Sequence, residues 1–237
     1  MVRLEVCVDD ALGLAEAVAG GADRVELCAA LGVGGLTPSV GLMQVAVGCG
    51  VPCYPMIRPR AGDFVFSGPE VAVMKADIRA ARGLVLPGVV LGASLPDGRL
   101  DLGVLAALVA EAEGLDLTLH RAIDLCPDAG EAVEQAVALG FRRILSSGGA
   151  RTAEKGIDRL ALMMQVANER LVVMPGSGVS VDTLSALRQL ALVEVHASCA
   201  VALPVAGKAL EFGFQTVADK RTDRAKVAAL RAALSHY

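Results

Sequence analysis

The sequence predicts an α/β chain folded as a (β/α)8 barrel, the TIM-barrel architecture. Three observations carry that reading. Eight short apolar runs alternate with helical patterns at an even spacing. The length, 237 residues, is close to the roughly 250 of such a barrel. The apolar fraction is 54%, yet aromatic residues make up only 3% and Trp is missing, so the core must be built from Ala, Val and Leu, as parallel layered sheets favour. A doubly wound open sheet shares this alternation, but the even count favours closure. No linker or composition shift divides residues 1–237, which read as one barrel domain.

The predicted strands are Arg3–Val8, Asp23–Cys28, Pro52–Arg58, Gly88–Gly92, Asp116–Arg121, Arg142–Ser147, Leu171–Pro175 and Leu192–Ser198. The helical segments between them are Leu12–Ala19, Val40–Gly48, Pro69–Arg82, Leu102–Ala112, Ala129–Leu139, Glu154–Asn168 and Val181–Leu190, and Asp223–Leu234 closes the chain. Gly20 and Gly21 stop the first helix, so Val25 and Leu27 begin a strand that alternates with Glu26 and Cys28. A glycine-rich loop follows. Ser39 or Thr37 can cap the next helix, with Pro38 in its first turn. One irregular stretch, Ala202–Arg221, is long for a loop and reads as a cover over the barrel end or an interface.

Composition excludes several classes. Net charge is −4, with no basic block and few aromatic rings to stack bases, which argues against nucleic-acid binding. Mean hydropathy is +0.55, but no run approaches the ~18–20 apolar residues that span a bilayer. Met1–Glu5 reads as a strand start without a signal-peptide shape, so a cytoplasmic location is expected. Cys7, Cys28, Cys49, Cys53, Cys126 and Cys199 are scattered without a Cys-x-x-Cys pair and are expected as free thiols or ligands.

Strand alternation locates the chemistry. The first strand sets Leu4, Val6 and Val8 against Glu5 and Cys7; the third sets Cys53, Pro55 and Ile57 against Tyr54, Met56 and Arg58. The fifth sets Leu117 and Leu119 against Thr118 and His120; the eighth sets Val193 and Val195 against Glu194, His196 and Ser198. The apolar faces must meet the helices, which turns Glu, Cys, Arg and His inward. The sixth strand offers Ser146 or Ser147 to the interior. Buried Glu5, Glu26 and Glu194 each cost several kcal/mol unless paired. Arg58, His120 and His196 are the expected partners, and strand C-terminal ends are where barrels keep their sites.

Each candidate has a plainer alternative. Cys7 and Cys28 end adjacent strands at one depth and suit a soft metal, Cu(I) or zinc, although buried Cys also serves as a small apolar filler. Met56 is a third soft donor or plain packing. Glu26 or Glu194 with His120 or His196 can perform acid–base chemistry, or can be satisfied core residues. Arg58 can fork onto an anion or pair Glu26, and Asp63 can fix its loop. Ser147-Gly148-Gly149 and Gly176-Ser177-Gly178 can offer backbone N–H groups to a phosphate or be ordinary tight turns. Asp124 to Asp128 reads as a loop and helix cap with no role for Cys126, and His236 sits at the frayed end.

Long motifs resemble the CutC family: Leu4–Asp9, Gly20–Cys28, Gly34–Ser39, Met56–Phe64, Leu119–Ala122, Arg143–Gly149, Met174–Val179 and Glu194–Ser198. The resemblance covers nearly the whole chain; Ser146, Leu119 and Ile123 are conservative departures. It implies a cytoplasmic (β/α)8 barrel that forms a homodimer or larger homo-oligomer, acts in copper homeostasis, and uses Cys7 and Cys28 as Cu(I) ligands. The expected partner is therefore a copper ion. The alternative is an enzyme on a small anionic or phosphorylated metabolite, with Glu26, Arg58, His120, Glu194 and His196 as its catalytic set.

Overall fold

The computed structural model describes residues 1–204, 206–216 and 219–237. Its eight barrel strands are β1 (Arg3–Val8), β2 (Arg24–Leu27), β3 (Cys53–Pro55), β4 (Gly88–Leu91), β5 (Asp116–Leu119), β6 (Arg143–Ser146), β7 (Val172–Pro175) and β8 (Glu194–Ala197). They pair in parallel as two halves, β3-β2-β1-β8 and β4-β5-β6-β7. A parallel bridge from Met56 to Val90 joins β3 to β4, and β7 lies beside β8, which closes the barrel. The open-sheet alternative is thereby set aside.

Helices follow the strands as α1 (Ala11–Ala19), α2 (Val40–Ala46), α3 (Gly68–Gly83), α4 (Leu102–Glu111), α5 (Ala129–Ala138), α6 (Ile157–Ala167) and α7 (Leu184–Leu187). Short polar side chains set their starts. Asp10, Ser39, Asp101 and Asp128 each accept a backbone N–H of the first turn, and Ser67 with Glu70 forms a capping box. Ser39 is thus the cap of α2, and Pro38 precedes the helix instead of opening it. Thr37 is used differently: its Oγ1 accepts the Arg58 N–H at 2.9 Å. The helix expected over Val181–Leu190 shrinks to Leu184–Leu187. Thr183 Oγ1 accepts from Ser180 N and donates to Gly178 O, a local turn that competes with helix.

After β8 the chain makes β9 (Ala200–Ala202), α8 (Lys208–Glu211) and β10 (Lys220–Thr222), then α9 (Arg224–Leu234). β9 and β10 pair antiparallel across the two ends of the stretch expected as an irregular loop, of which Val205, Val217 and Ala218 lie outside the described residues. Thr222 Oγ1 donates at 3.3 Å to the carbonyls of Cys7 and Ser198, and Arg221 pairs with Asp10. This segment therefore leans on the C-terminal ends of β1 and β8. α9 returns to α1, where a Cβ at Gly20 would lie 2.5 Å from Val227, so only glycine permits that approach.

The main core lies between strands and helices. It takes Leu4, Val6, Val25, Leu27, Ile57, Val89, Leu91, Leu119, Ile144 and Val195 from the outward strand faces. A separate small cluster of Cys28, Tyr54, Met56 and Val90 occupies the barrel interior. Two-residue alternation thus separates a large apolar layer from a polar interior.

Candidate functional site

The interior polar residues divide into two groups along the barrel axis. At the N-terminal end the group is an ion network. Arg24 Nε donates to Glu5 Oε2 at 2.5 Å, and its Nη2 donates to Glu194 Oε2. Arg143 Nη2 donates to Asp116 Oδ2 at 2.8 Å and its Nη1 to Thr118 Oγ1 at 3.1 Å. Its Nε lies 3.3 Å from Glu194. Tyr54 donates to Asp116 at 2.7 Å, and both guanidinium carbons sit 5.3 Å from the Tyr54 ring centroid. A pocket of about 370 Å³ opens beside this network, lined by Arg3, Asp23, Arg24, Tyr54, Asp116 and Arg143 among others.

The glutamate partners therefore differ from expectation. Glu194 belongs to the structural end, with Arg24 and Arg143 as its cations. Arg58 does not pair with Glu26. Its Nη1 donates to Val33 O and Gly35 O and its Nη2 to Gly62 O, so it pins two loops together. Asp63 fixes the same loop through Arg60. Arg24 shares the parity of Glu26, and Arg143 that of Leu145, but both stand at the N-terminal ends of their strands, away from the strand ends where barrel sites are expected.

At the C-terminal end stand Cys7, Glu26, Cys28 and His196. Strand register places Cys7 beside Glu26, with Cys28 one layer further along, so the two thiols are not at one depth. Instead, one ligand atom each from Cys7, Glu26 and His196 lie within 4.8 Å of one another, all buried. Cys28 Sγ donates to Glu26 Oε2 at 3.6 Å, just outside that trio. His196 Nδ1 is bonded to Glu5 Oε1 at 2.7 Å, and its Nε2 faces Glu26 Oε2 at 3.8 Å. Glu5 thus links the two ends.

The environment sets the charge states. Burial alone would raise the Glu5 carboxyl, but Arg24 and His196 outweigh it and hold the pKa at about 2. At Glu26 burial prevails over the nearby His196, and the pKa is pushed up. Burial opposes a charged His196, yet the Cys7, Glu26 and Glu5 side chains favour the imidazolium and raise its pKa. Burial, reinforced by Glu26, raises the Cys28 thiol well above its ordinary range.

His120 occupies a different part of the same mouth. A Cβ at Gly92 would lie 2.4 Å from its ring, so glycine makes room for it. Its Nδ1 accepts the Ala122 N–H at 3.1 Å, which leaves the proton on Nε2. Burial, then Arg58, holds the ring neutral with a pKa of about 3. The Phe64 ring packs tilted against His120, with centroids 4.7 Å apart, and the Arg58 guanidinium lies over it at 4.8 Å. His120 Nε2, Ser94 Oγ, Arg58 Nε and Glu26 Oε1 are buried without a hydrogen-bond partner among the described residues. Strand alternation marks neither Phe64 nor Ser94 as part of the mouth, since a residue in a loop carries no periodic signal.

The two glycine-rich turns part company. Asp124 already fills the first: its carboxylate accepts the N–H groups of Ser147 and Gly149 and the hydroxyls of Ser146 and Ser147. Gly148 N–H goes to Ser146 Oγ at 2.9 Å. The chain supplies its own anion there, so the expected phosphate contact at Ser147, Gly148 and Gly149 is corrected to an internal plug. Ser146 consequently turns toward α6 and away from the barrel, meeting Met163. In the second turn Gly176 N–H is taken by Ser146 O, while Ser177, at φ 72°, sends its hydroxyl to Arg151 O. The amides of Ser177 and Gly178 remain open among the described residues.

Comparison with known proteins follows this geometry. The CutC family profile matches residues 2–201. A CutC family protein from Rhizobium meliloti is 56% identical over 235 residues, covering 98% of this chain and 96% of the relative. A solved CutC from Streptococcus agalactiae, described as a copper homeostasis protein, superposes with a TM-score of 0.79 at 32% identity, covering 84% of this chain and 99% of that one. A thiamine phosphate pyrophosphorylase from Pyrococcus furiosus superposes at 0.60 with 13% identity, covering 99% of this chain and 96% of that one, a likeness of fold alone.

Proposed function

The chain belongs to the CutC family, and from that premise we propose that it binds Cu(I) at the C-terminal mouth of its barrel for copper homeostasis. The observation that carries this reading is the buried trio of Cys7, Glu26 and His196, with donor atoms within 4.8 Å. An ion bound at ~2.0–2.3 Å from each donor needs only a small contraction of that trio. Thiolate and imidazole are donors that copper accepts. The Glu5–His196 hydrogen bond supports the reading further, because ligating histidines commonly give their second nitrogen to a carboxylate. Cys28 and Met56, neighbours in the interior cluster, add soft sulfur at the rim. Donor groups must be deprotonated to ligate, and burial raises the pKa of both Cys28 and Glu26, so affinity rises with pH.

The test is an anaerobic Cu(I) titration against a competing chelator on the wild type, Cys7→Ser and Cys28→Ser. One tight equivalent is expected, lost in Cys7→Ser and weakened in Cys28→Ser. Binding indifferent to both substitutions would overturn the site.

A second reading rests on the unpartnered His120 Nε2, Ser94 Oγ and Arg58 Nε. Three buried donors under Phe64 suit an oxyanion, as in an enzyme for a small anionic metabolite, with the open Ser177 and Gly178 amides as a further anion contact. A carboxylate or phosphate ester that raises the melting temperature of the wild type, but not of His120→Phe, would favour it. For self-association, the exposed Phe212 and Phe214, 6.2 Å apart, are the proposed contact between copies. Phe212→Ser with Phe214→Ser should then yield a monomer in light scattering.

A further inference from the structure

Two thiols lie outside both readings. Cys49 is half-buried in the turn after α2, and Cys53 is buried at the first residue of β3. Their Sγ atoms are 3.3 Å apart. Both also lean on one acceptor, the Val51 carbonyl oxygen, at 3.4 and 3.6 Å. A disulfide bond is about 2.05 Å long, so closure requires an approach of roughly 1.3 Å. The turn that must move is suited to it. Gly48 and Gly50 hold φ of 76° and 101°, and a Cβ at either would meet nothing within 4 Å. Val47, Gly48, Gly50 and Pro52 are all exposed.

We propose that Cys49 and Cys53 form a peroxide-reactive dithiol that closes to an intramolecular disulfide. Cys49 is the attacking thiol because it is the more accessible of the two. Its thiolate takes one oxygen from hydrogen peroxide, giving a sulfenic acid and releasing water once protonated. The Cys53 sulfur then attacks the Cys49 sulfur and expels the hydroxyl group, which leaves as water with the Cys53 proton. Two thiols and one peroxide become one disulfide and two waters. Burial, then the Cys49 contact, raises the Cys53 thiol pKa, so Cys53 stays protonated at rest and Cys49 is the thiol that meets peroxide first.

The site is separate from the barrel-top cluster. Cys53 belongs to the core between strands and helices, whereas Cys28 lies in the interior cluster. It also sits at the opposite end of its strand: Pro52, the residue before Cys53, lines the N-terminal pocket.

The test oxidises the full chain with hydrogen peroxide, then alkylates it under denaturing conditions. Six alkylatable thiols should fall to four, with the loss of two hydrogens in mass, and fragmentation should place the link between Cys49 and Cys53. Cys49→Ser should abolish the link. Cys53→Ala, which keeps an apolar filler, should leave a Cys49 sulfenic acid that dimedone traps. A first disulfide that maps elsewhere, or a Cys49 that dimedone labels no better in Cys53→Ala than in wild type, would overturn the proposal. Folding of each variant is checked by circular dichroism, and Cu(I) binding by Cys49→Ser should match the wild type.

Discussion

The two ends of the barrel interior are built from similar residues and differ in how those residues are paired. At the N-terminal end, Glu5, Glu194 and Asp116 each meet a guanidinium, and Tyr54 lies between the two arginines. Among the described residues, two buried side-chain atoms of that end, Asp116 Oδ1 and Arg143 Nε, lack a hydrogen bond, and Arg143 Nε still lies 3.3 Å from Glu194; at the C-terminal end Glu26 Oε1, His120 Nε2, Ser94 Oγ and Arg58 Nε lack one, and Cys7 stands among groups that can share an ion. Buried polar atoms are seldom left unpaired without a reason. The lesson is that buried charge by itself does not single out a candidate site; a gathering of polar atoms without hydrogen-bond partners beside potential metal donors does. Glu5 belongs to both ends, because its two oxygens divide between Arg24 and His196.

The comparison is broken most directly at Arg24. This arginine is 5% exposed and bonds two carboxylates that burial would otherwise penalise. Arg24→Met leaves Glu5 and Glu194 short of a cation, and removing one partner of a buried pair costs about 3–5 kcal/mol. Urea unfolding of the apo protein should register that loss. A change below about 1 kcal/mol would mean that the network is dispensable and that the two ends are not distinct in kind.

The second test uses pH and the other end. His120 stays neutral in the fold until about pH 3, whereas its ordinary value is 6.5. Above 6.5 both states are neutral and pH has no effect through this group. Below it the unfolded ring takes a proton that the folded ring refuses, so stability falls as pH drops, down to about 3. The slope from this one group reaches at most about 1.4 kcal/mol per pH unit. Arg58 is the charge that adds to the penalty. His120→Gln should flatten the acid branch of stability measured between pH 6.5 and 3; an unchanged branch would sink the buried-neutral assignment.

These tests also show what the chain made legible. Alternation in Leu4-Glu5-Val6-Cys7 and in Val25-Glu26-Leu27-Cys28 was enough to separate the helix-facing layer from the interior, and so the barrel with it. What alternation lacks is register. Cys7 faces Glu26 because β1 and β2 pair with that offset, and the offset follows from closing all eight strands together. Arg24 carries the right parity, but nothing local shows that Glu194, 170 residues away, accepts its hydrogen bond. Asp124 reads locally as part of a loop and helix cap, since nothing local shows that its carboxylate reaches Ser147 and Gly149.

Asp124 sharpens the comparison at the rim. Its carboxylate satisfies the backbone donors that a ligand would otherwise use, and it holds Arg121 at 2.8 Å. Asp124→Ala strands those donors, at about 1–3 kcal/mol. Amide hydrogen exchange at Ser147 and Gly149 should quicken, and added phosphate should restore part of the lost stability by taking the vacated place. Exchange that stays slow would show that the turn is held by packing alone.

The smallest effect is expected at Arg3, and it is the closest control for Arg24. Both arginines approach Glu194, Arg3 at 3.7 Å. The Arg3 side chain is 67% exposed, so water and salt screen its attraction, and exposed pairs contribute less than about 1 kcal/mol. Glu194 loses little when Arg3 goes, because Arg24 and Arg143 remain on it. Arg3→Gln should therefore leave the urea midpoint nearly unchanged, and what change there is should vanish in high salt. If Arg3→Gln costs as much as Arg24→Met, burial is not what separates the two arginines. The strength of the N-terminal network would then lie in its net charge, and the contrast between a paired end and an unpaired end would have to be redrawn in those terms.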